Sequence, residues 1–132
     1  MSSDTFIEVA EDCPAVHAEV PPARGGQPTK AAIEYELIAG KPYALTEEEV
    51  AFRTRVAMRG IPEADWPAER QRFQAHEKPR LRVSALAKRY GWGIHIDSHG
   101  RVALVAVESA EYRRLAADPA LRHVRAFRSK RA

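Results

Sequence analysis

The chain has 132 residues, 45% of them apolar and 30% charged, with a net charge of +3, which fits one globular domain and excludes a chain too polar to bury a core. Its longest fully apolar run, Val102 to Val107, is far shorter than a membrane helix, and Met1 to Ile7 has neither the basic start nor the apolar stretch of a signal peptide. Cys13 is the single cysteine, which excludes an intramolecular disulfide and a zinc site built on several thiolates, and fits a reducing, cytoplasmic setting.

The charge is unevenly spread. Residues 1–77 hold 8 Lys/Arg against 14 Asp/Glu, whereas residues 78–132 hold 13 against 4. Such asymmetry implies either that the two halves neutralise each other or that the second half meets an anionic partner.

The first predicted element is a strand over Asp4–Ala10, rich in Thr5, Phe6, Ile7 and Val9, and ended by Cys13-Pro14. Val20-Pro21-Pro22 is extended, and Gly25-Gly26 prolongs a loop to Pro28. A connection of roughly 16 residues is longer than usual. Thr29–Ala39 reads as a helix, with Gly40 at its left-handed exit. A second helix opens at Thr46, where Glu49 completes a capping box, and stops at Gly60. Its apolar residues are spread around the axis, so it should be largely buried or touch more than one neighbour.

A third helix lies within Ile61–Glu77, firm only after Trp66 because Pro62 and Pro67 crowd its start, and closed by Pro79. Ser84 caps a short helix, Ala85–Tyr90, that ends at Gly91. Trp92–Asp97 alternates as a strand, with Trp92, Ile94 and Ile96 on one face and His95 on the other. Asp97-Ser98-His99-Gly100 is the turn. Arg101–Val107 returns as a strand whose unbroken apolar run predicts a central place. Ser109 caps a helix broken by Asp118-Pro119, and Leu121–Ser129 reads as a final strand, with helical spacing of Leu121, Val124 and Phe127 competing. The whole is one α+β domain over residues 1–132: a small, mostly antiparallel sheet of about four strands, including the hairpin near 92–107, with four or five helices.

The chemistry concentrates in Lys88-Arg89-Tyr90-Gly91-Trp92-Gly93-Ile94-His95. Glycines admit close backbone approach, Lys88 and Arg89 suit an anion, and Tyr90 or Trp92 suits an aromatic ligand. The competing reading is packing, with Gly91 ending a helix and Trp92 filling a core. Cys13 lies four residues before His17, a nucleophile–base combination whose spacing the intervening Pro14 leaves unfixed. The five histidines form no metal-ligand pattern, and neither a metal nor a cofactor is expected. A winged-helix arrangement of residues 46–107 is opposed by the apolar hairpin.

Three blocks carry a resemblance: Thr5-Phe6-Ile7-Glu8-Val9-Ala10-Glu11-Asp12-Cys13-Pro14, Lys88 through His95, and Arg128-Ser129-Lys130-Arg131-Ala132. Together they resemble a bacterial family of small uncharacterised proteins catalogued as a domain of unknown function, across essentially the whole chain. Where that family's pattern has Ser-Pro-Leu-Gly, this chain has Ser84-Ala85-Leu86-Ala87, and Arg80 stands in place of an upstream cysteine. The resemblance implies one compact domain and no particular activity.

The leading expectation is a binding or interaction domain using Lys88, Arg89, Tyr90, Trp92 and His95, with Cys13 and His17 from the long loop. The alternatives are a small enzyme using His95 or Cys13, nucleic-acid binding through the basic second half, and a homo-oligomer. For the nucleic-acid reading, a strand over Leu121–Ser129 places His123, Arg125 and Phe127 on one face, mixing cations with a ring as single-strand binders do. Its competitor is an edge strand guarded by charge.

Overall fold

The structure is a computed structural model, described over residues 4–22, 29–76 and 81–127. Within them lie four strands and five helices: β1 (Thr5–Glu8), α1 (Lys30–Ala39), α2 (Glu47–Arg59), α3 (Trp66–His76), α4 (Ala85–Lys88), β2 (Trp92–Ile96), β3 (Val102–Ala106), α5 (Ala110–Ala116) and β4 (Arg122–Arg125). Single 3-10 turns precede α3 and α4. No described helix is long and apolar enough to cross a membrane.

The strands form one sheet in the order β3-β2-β1-β4. β2 is antiparallel to both neighbours, but β4 runs parallel to β1. The sheet is therefore mixed, where the sequence pointed to a mostly antiparallel one. The cause is α5: β3 and β4 run in the same direction, and a helix carries the chain between them across two intervening strands. β2 is an inner strand, which removes the winged-helix arrangement. β3 is an edge strand rather than the expected central one. Its apolar run is explained by cover on both faces, and its edge is itself covered. Tyr43 N–H donates to Val102 C=O, Val102 N–H to Leu45 C=O and Glu47 N–H to Gly100 C=O.

The helix ends follow local chemistry. Thr46 Oγ1 accepts from Glu49 N–H, but the Glu49 carboxylate pairs with Arg53 and Arg70, so only half of the capping box forms. Gly60 is left-handed as its position requires, whereas Gly40 stays right-handed at φ −83°. Pro79 and residues 128–132 lie outside the described segments, so the closure of α3 and the last part of the expected strand do too. The strand reading of Leu121–Ser129 holds over Arg122–Arg125, and the helical alternative is overturned.

Register sorts the core. Ile7, Ile94 and Leu104 share one face, which packs with Ile38, Val50 and Leu86. Phe6, Gly93 and Val105 share the other, beneath Tyr112 and Leu115 of α5. A satellite core joins Phe52 and Val56 of α2 to Phe73 and Trp66 of α3. Thus α2 touches two neighbours, as its scattered apolar residues require. Each fully buried large side chain, such as Phe6, contributes about 2–3 kcal/mol.

Two features yield measurable consequences. A Cβ at Gly93 would stand 2.7 Å from Tyr112 Cε2 and 2.9 Å from Phe6 Cζ. Gly93→Ala is expected to cost about 1–3 kcal/mol in urea denaturation, by overpacking at the sheet–α5 contact. Glu34 is only 5% exposed and accepts from Ser84 Oγ at 2.9 Å. Burial pushes its carboxyl above the usual 4.5, partly opposed by Ser84 and Lys30. A carboxyl raised on folding favours the folded state at low pH, and that contribution is lost as pH rises from about 4.5 through the raised value. Glu34→Gln should remove this component, so its melting temperature should gain on that of the unmodified chain between pH 4.5 and pH 7.5.

Candidate functional site

The glycine–tryptophan segment is built by two close approaches. Gly91 has φ +79°, and a Cβ there would meet the His17 carbonyl oxygen at 3.0 Å and Ala15 and Ala18 at 3.2 Å. Any side chain would both strain the backbone and push the N-terminal loop away. The loop is pinned at this point. Glu19 N–H donates to Tyr90 C=O, Trp92 Nε1–H donates to Glu19 C=O at 2.8 Å, and Ala18 N–H donates to Glu108. That last bond, with His17 adding a smaller attraction, holds the Glu108 carboxyl below its usual range. The Trp92 ring leans on Tyr35 of α1.

Of the residues singled out from sequence, this places Cys13, His17, Tyr90 and Trp92 in one neighbourhood. Cys13 packs against the main core with Tyr90 and Trp92, and His17 is exposed. The aromatic rings are spent on packing and on fastening the loop. Lys88 and Arg89, at the end of α4, remain at the rim, with Arg89 exposed.

His95 is elsewhere. It lies on the opposite face of β2, side chain 12% exposed. Its Nδ1 is 2.7 Å from Tyr43 Oη, and its Nε2 is 3.3 Å from an Asp4 oxygen in an ion-pair contact without hydrogen-bond geometry. Tyr43 comes to it from the segment beside β3, and the β3 residue paired with His95 in the ladder is the small Ala103. Tyr43 has a left-handed backbone, φ 60°, a conformation that is costly for a bulky side chain and persists only when its surroundings hold it. The hold comes from its bonds to β3 and His95. Burial, then the carboxylates of Glu111, Asp97 and Asp4, keep the Tyr43 phenol above its ordinary value, with Arg114 opposing. The phenol therefore stays protonated and shares a hydrogen bond with Nδ1. Nδ1 is engaged by Tyr43, whereas Nε2 is closed to solvent and has no hydrogen-bond partner among the described residues. The arrangement fixes the segment that covers the β3 edge.

A third cluster gathers at β4. Arg82 Nε donates to Arg125 C=O at 2.6 Å, its guanidinium lies 4.6 Å from the centre of the Phe127 ring, and Phe127 N–H donates to Arg82 C=O. Arg122, His123 and Arg125 are exposed, and Phe127 is 38% exposed. Among the described residues Arg122 and Arg125 form no ion pair, although Glu8 is the register partner of Arg125. Ala10 N–H donates to Ala87 C=O and Ala126 N–H to Glu8 C=O. The end of α4, with Lys88 and Arg89, and the end of β4 thus flank the same extension of β1.

Sequence reasoning missed Tyr43, Asp4 and Arg82. Tyr43 sits in a linker between two helices, where its left-handed backbone leaves no sequence signal. Arg82 is one arginine among many until Phe127 is placed beside it.

The chain belongs to a family of unknown function, DUF6157, whose model matches residues 2–132. No curated protein and no solved structure matches it.

The phenols give this region a test. Tyr43 and Tyr112 are both raised above 10, chiefly by burial. Groups raised on folding lose their stabilising contribution as pH climbs from about 10 through the raised values. Melting temperature should fall over this range, and Tyr43→Phe should reduce that fall while costing about 1 kcal/mol at neutral pH through the lost bond to His95.

Proposed function

We propose that this chain is a binding domain for single-stranded nucleic acid, held along the basic β4 edge, in a reducing, cytoplasmic setting. The observation that carries the reading is the convergence of Arg82, Arg125 and half-exposed Phe127, beside Arg122 and His123. Arginines with no carboxylate partner among the described residues supply phosphate contacts, and a ring with an arginine over it supplies a stacking surface for a base. Lys88 and Arg89 extend the surface around the end of β1. This moves the binding surface from the glycine–tryptophan segment, whose rings are already engaged, to the neighbouring edge. A catalytic role for His95 or Cys13 has less support, because the His95 Nδ1 is bonded to Tyr43, its Nε2 is closed to solvent, and Cys13 packs against the core.

The test is fluorescence anisotropy with labelled oligo-dT and oligo-U over a series of salt concentrations. Binding should weaken steeply as salt rises, and Arg122→Ala with Arg125→Ala should lower the salt slope by between 1 and 2. Phe127→Ala should weaken binding about 5- to 100-fold with the slope nearly unchanged. Binding insensitive to salt, or a double variant that binds like the unmodified chain, would reject the reading.

A further inference from the structure

A shallow hollow of about 370 Å³, widely open to solvent, lies between α1, α2 and the start of α3. Its walls are apolar: Leu37 from α1, Val56 and Ala57 from α2, Ile61 and Trp66. Among the described lining residues, Arg53 is the charged one. The volume falls in the range of small-ligand sites, and an apolar lining with one placed charge is their usual composition.

The walls are preformed by backbone chemistry. α2 ends in a Schellman motif: Ile61 N–H donates to Val56 C=O, Gly60 N–H to Ala57 C=O, and Gly60 is left-handed at φ 61°. This seats Ile61 against the last turn of the helix. Trp66 Nε1–H donates to Ile61 C=O at 3.1 Å, and the Trp66 ring meets Phe52 edge-on at 5.9 Å. The indole is therefore fixed before any ligand arrives, its polar atom already satisfied.

The charge is also specific. Glu49 is shared by Arg53 and Arg70, so among the described residues of this cluster two guanidiniums meet one carboxylate. The Arg53 contact with Glu49 uses Nε at 3.1 Å, which leaves its terminal nitrogens for another partner. We propose that this hollow is a binding site for a small apolar monocarboxylate, its hydrophobic body against Val56, Ile61 and Trp66 and its carboxylate on Arg53. The site is separate from the β4 edge and shares no residue with it.

The experiment is a titration of the full chain with phenylacetate, followed by 1H–15N NMR. The amides of Gly60 and Ile61 and the Trp66 indole N–H should shift together and saturate, with a dissociation constant on the order of 1 mM or tighter. Phenylacetamide, the same body without the charge, should bind at least tenfold more weakly. Arg53→Met should reduce phenylacetate affinity at least tenfold and erase the difference between the two probes. Ala57→Phe, which fills the hollow from an exposed helical position, should abolish the shifts, and its own spectrum reports whether the fold survives. Shifts centred elsewhere, no saturation, or equal affinity for acid and amide would overturn the assignment.

Discussion

Tyr112 and Phe6 approach the backbone of β2 so closely at Gly93 that no Cβ fits between them. That contact sets the height of α5 over the sheet. At this height the Tyr112 hydroxyl reaches Val9 N–H at 3.0 Å, tying α5 to the end of β1. The Phe6 and Tyr112 rings meet edge-on at 5.0 Å, with Leu115 and Val105 around them. Because α5 is docked across β2 and β1, the chain leaving it emerges beyond β1 and runs parallel to it. The parallel β4, with its arginines on the open edge, thus follows from the crossover through α5.

Much of this architecture was legible in local chemistry. Thr46, Ser84 and Ser109 each accept a backbone N–H at the helix start where sequence placed them. The alternation of Trp92–Ile96 assigned His95 to the face opposite Trp92 and Ile94, and the register agrees. Strand direction was not legible, because period-two patterning is the same for parallel and antiparallel partners. Nor was the edge position of β3: two covered faces produce the same apolar run in an edge strand as in a central one, provided something caps the edge. Here the cap is the Tyr43–Glu47 segment, held through a strained tyrosine that sequence does not mark. The functional reading moved for a similar reason. Trp92 looked available because its neighbours were glycines, yet those glycines exist to let the N-terminal loop and α5 come close.

The charge asymmetry also resolves into parts. Within the first half, Glu49 binds Arg53 and Arg70, and Glu69 binds Arg55 and Arg72, while Arg70 stacks on Phe52 at 4.2 Å. These pairs fasten α3 to α2 around the satellite core, so part of the acidic half is satisfied by its own cations. The bond from Arg55 comes first among the causes that hold the Glu69 carboxyl below its usual range. Mutual neutralisation of the halves does not account for Arg122 and Arg125, which have no carboxylate partner among the described residues.

The two edges of the sheet are therefore treated differently. β3 is closed by backbone pairing with the segment after α1, a solution that needs no particular charge. β4 carries its protection in its side chains, and protection alone is indifferent to sign, since any charge on an edge strand opposes edge-to-edge pairing. A guarding role would be served equally by glutamates or by mixed charges. The edge instead has Arg122, His123 and Arg125, with Arg82 brought in from a distant turn to bind the Arg125 carbonyl and lie over Phe127. Recruiting a further cation onto a cationic edge works against electrostatic economy in the free protein. An anion bound there would offset that repulsion, which is the physical basis for the proposal that this edge is a surface for phosphate rather than a guard.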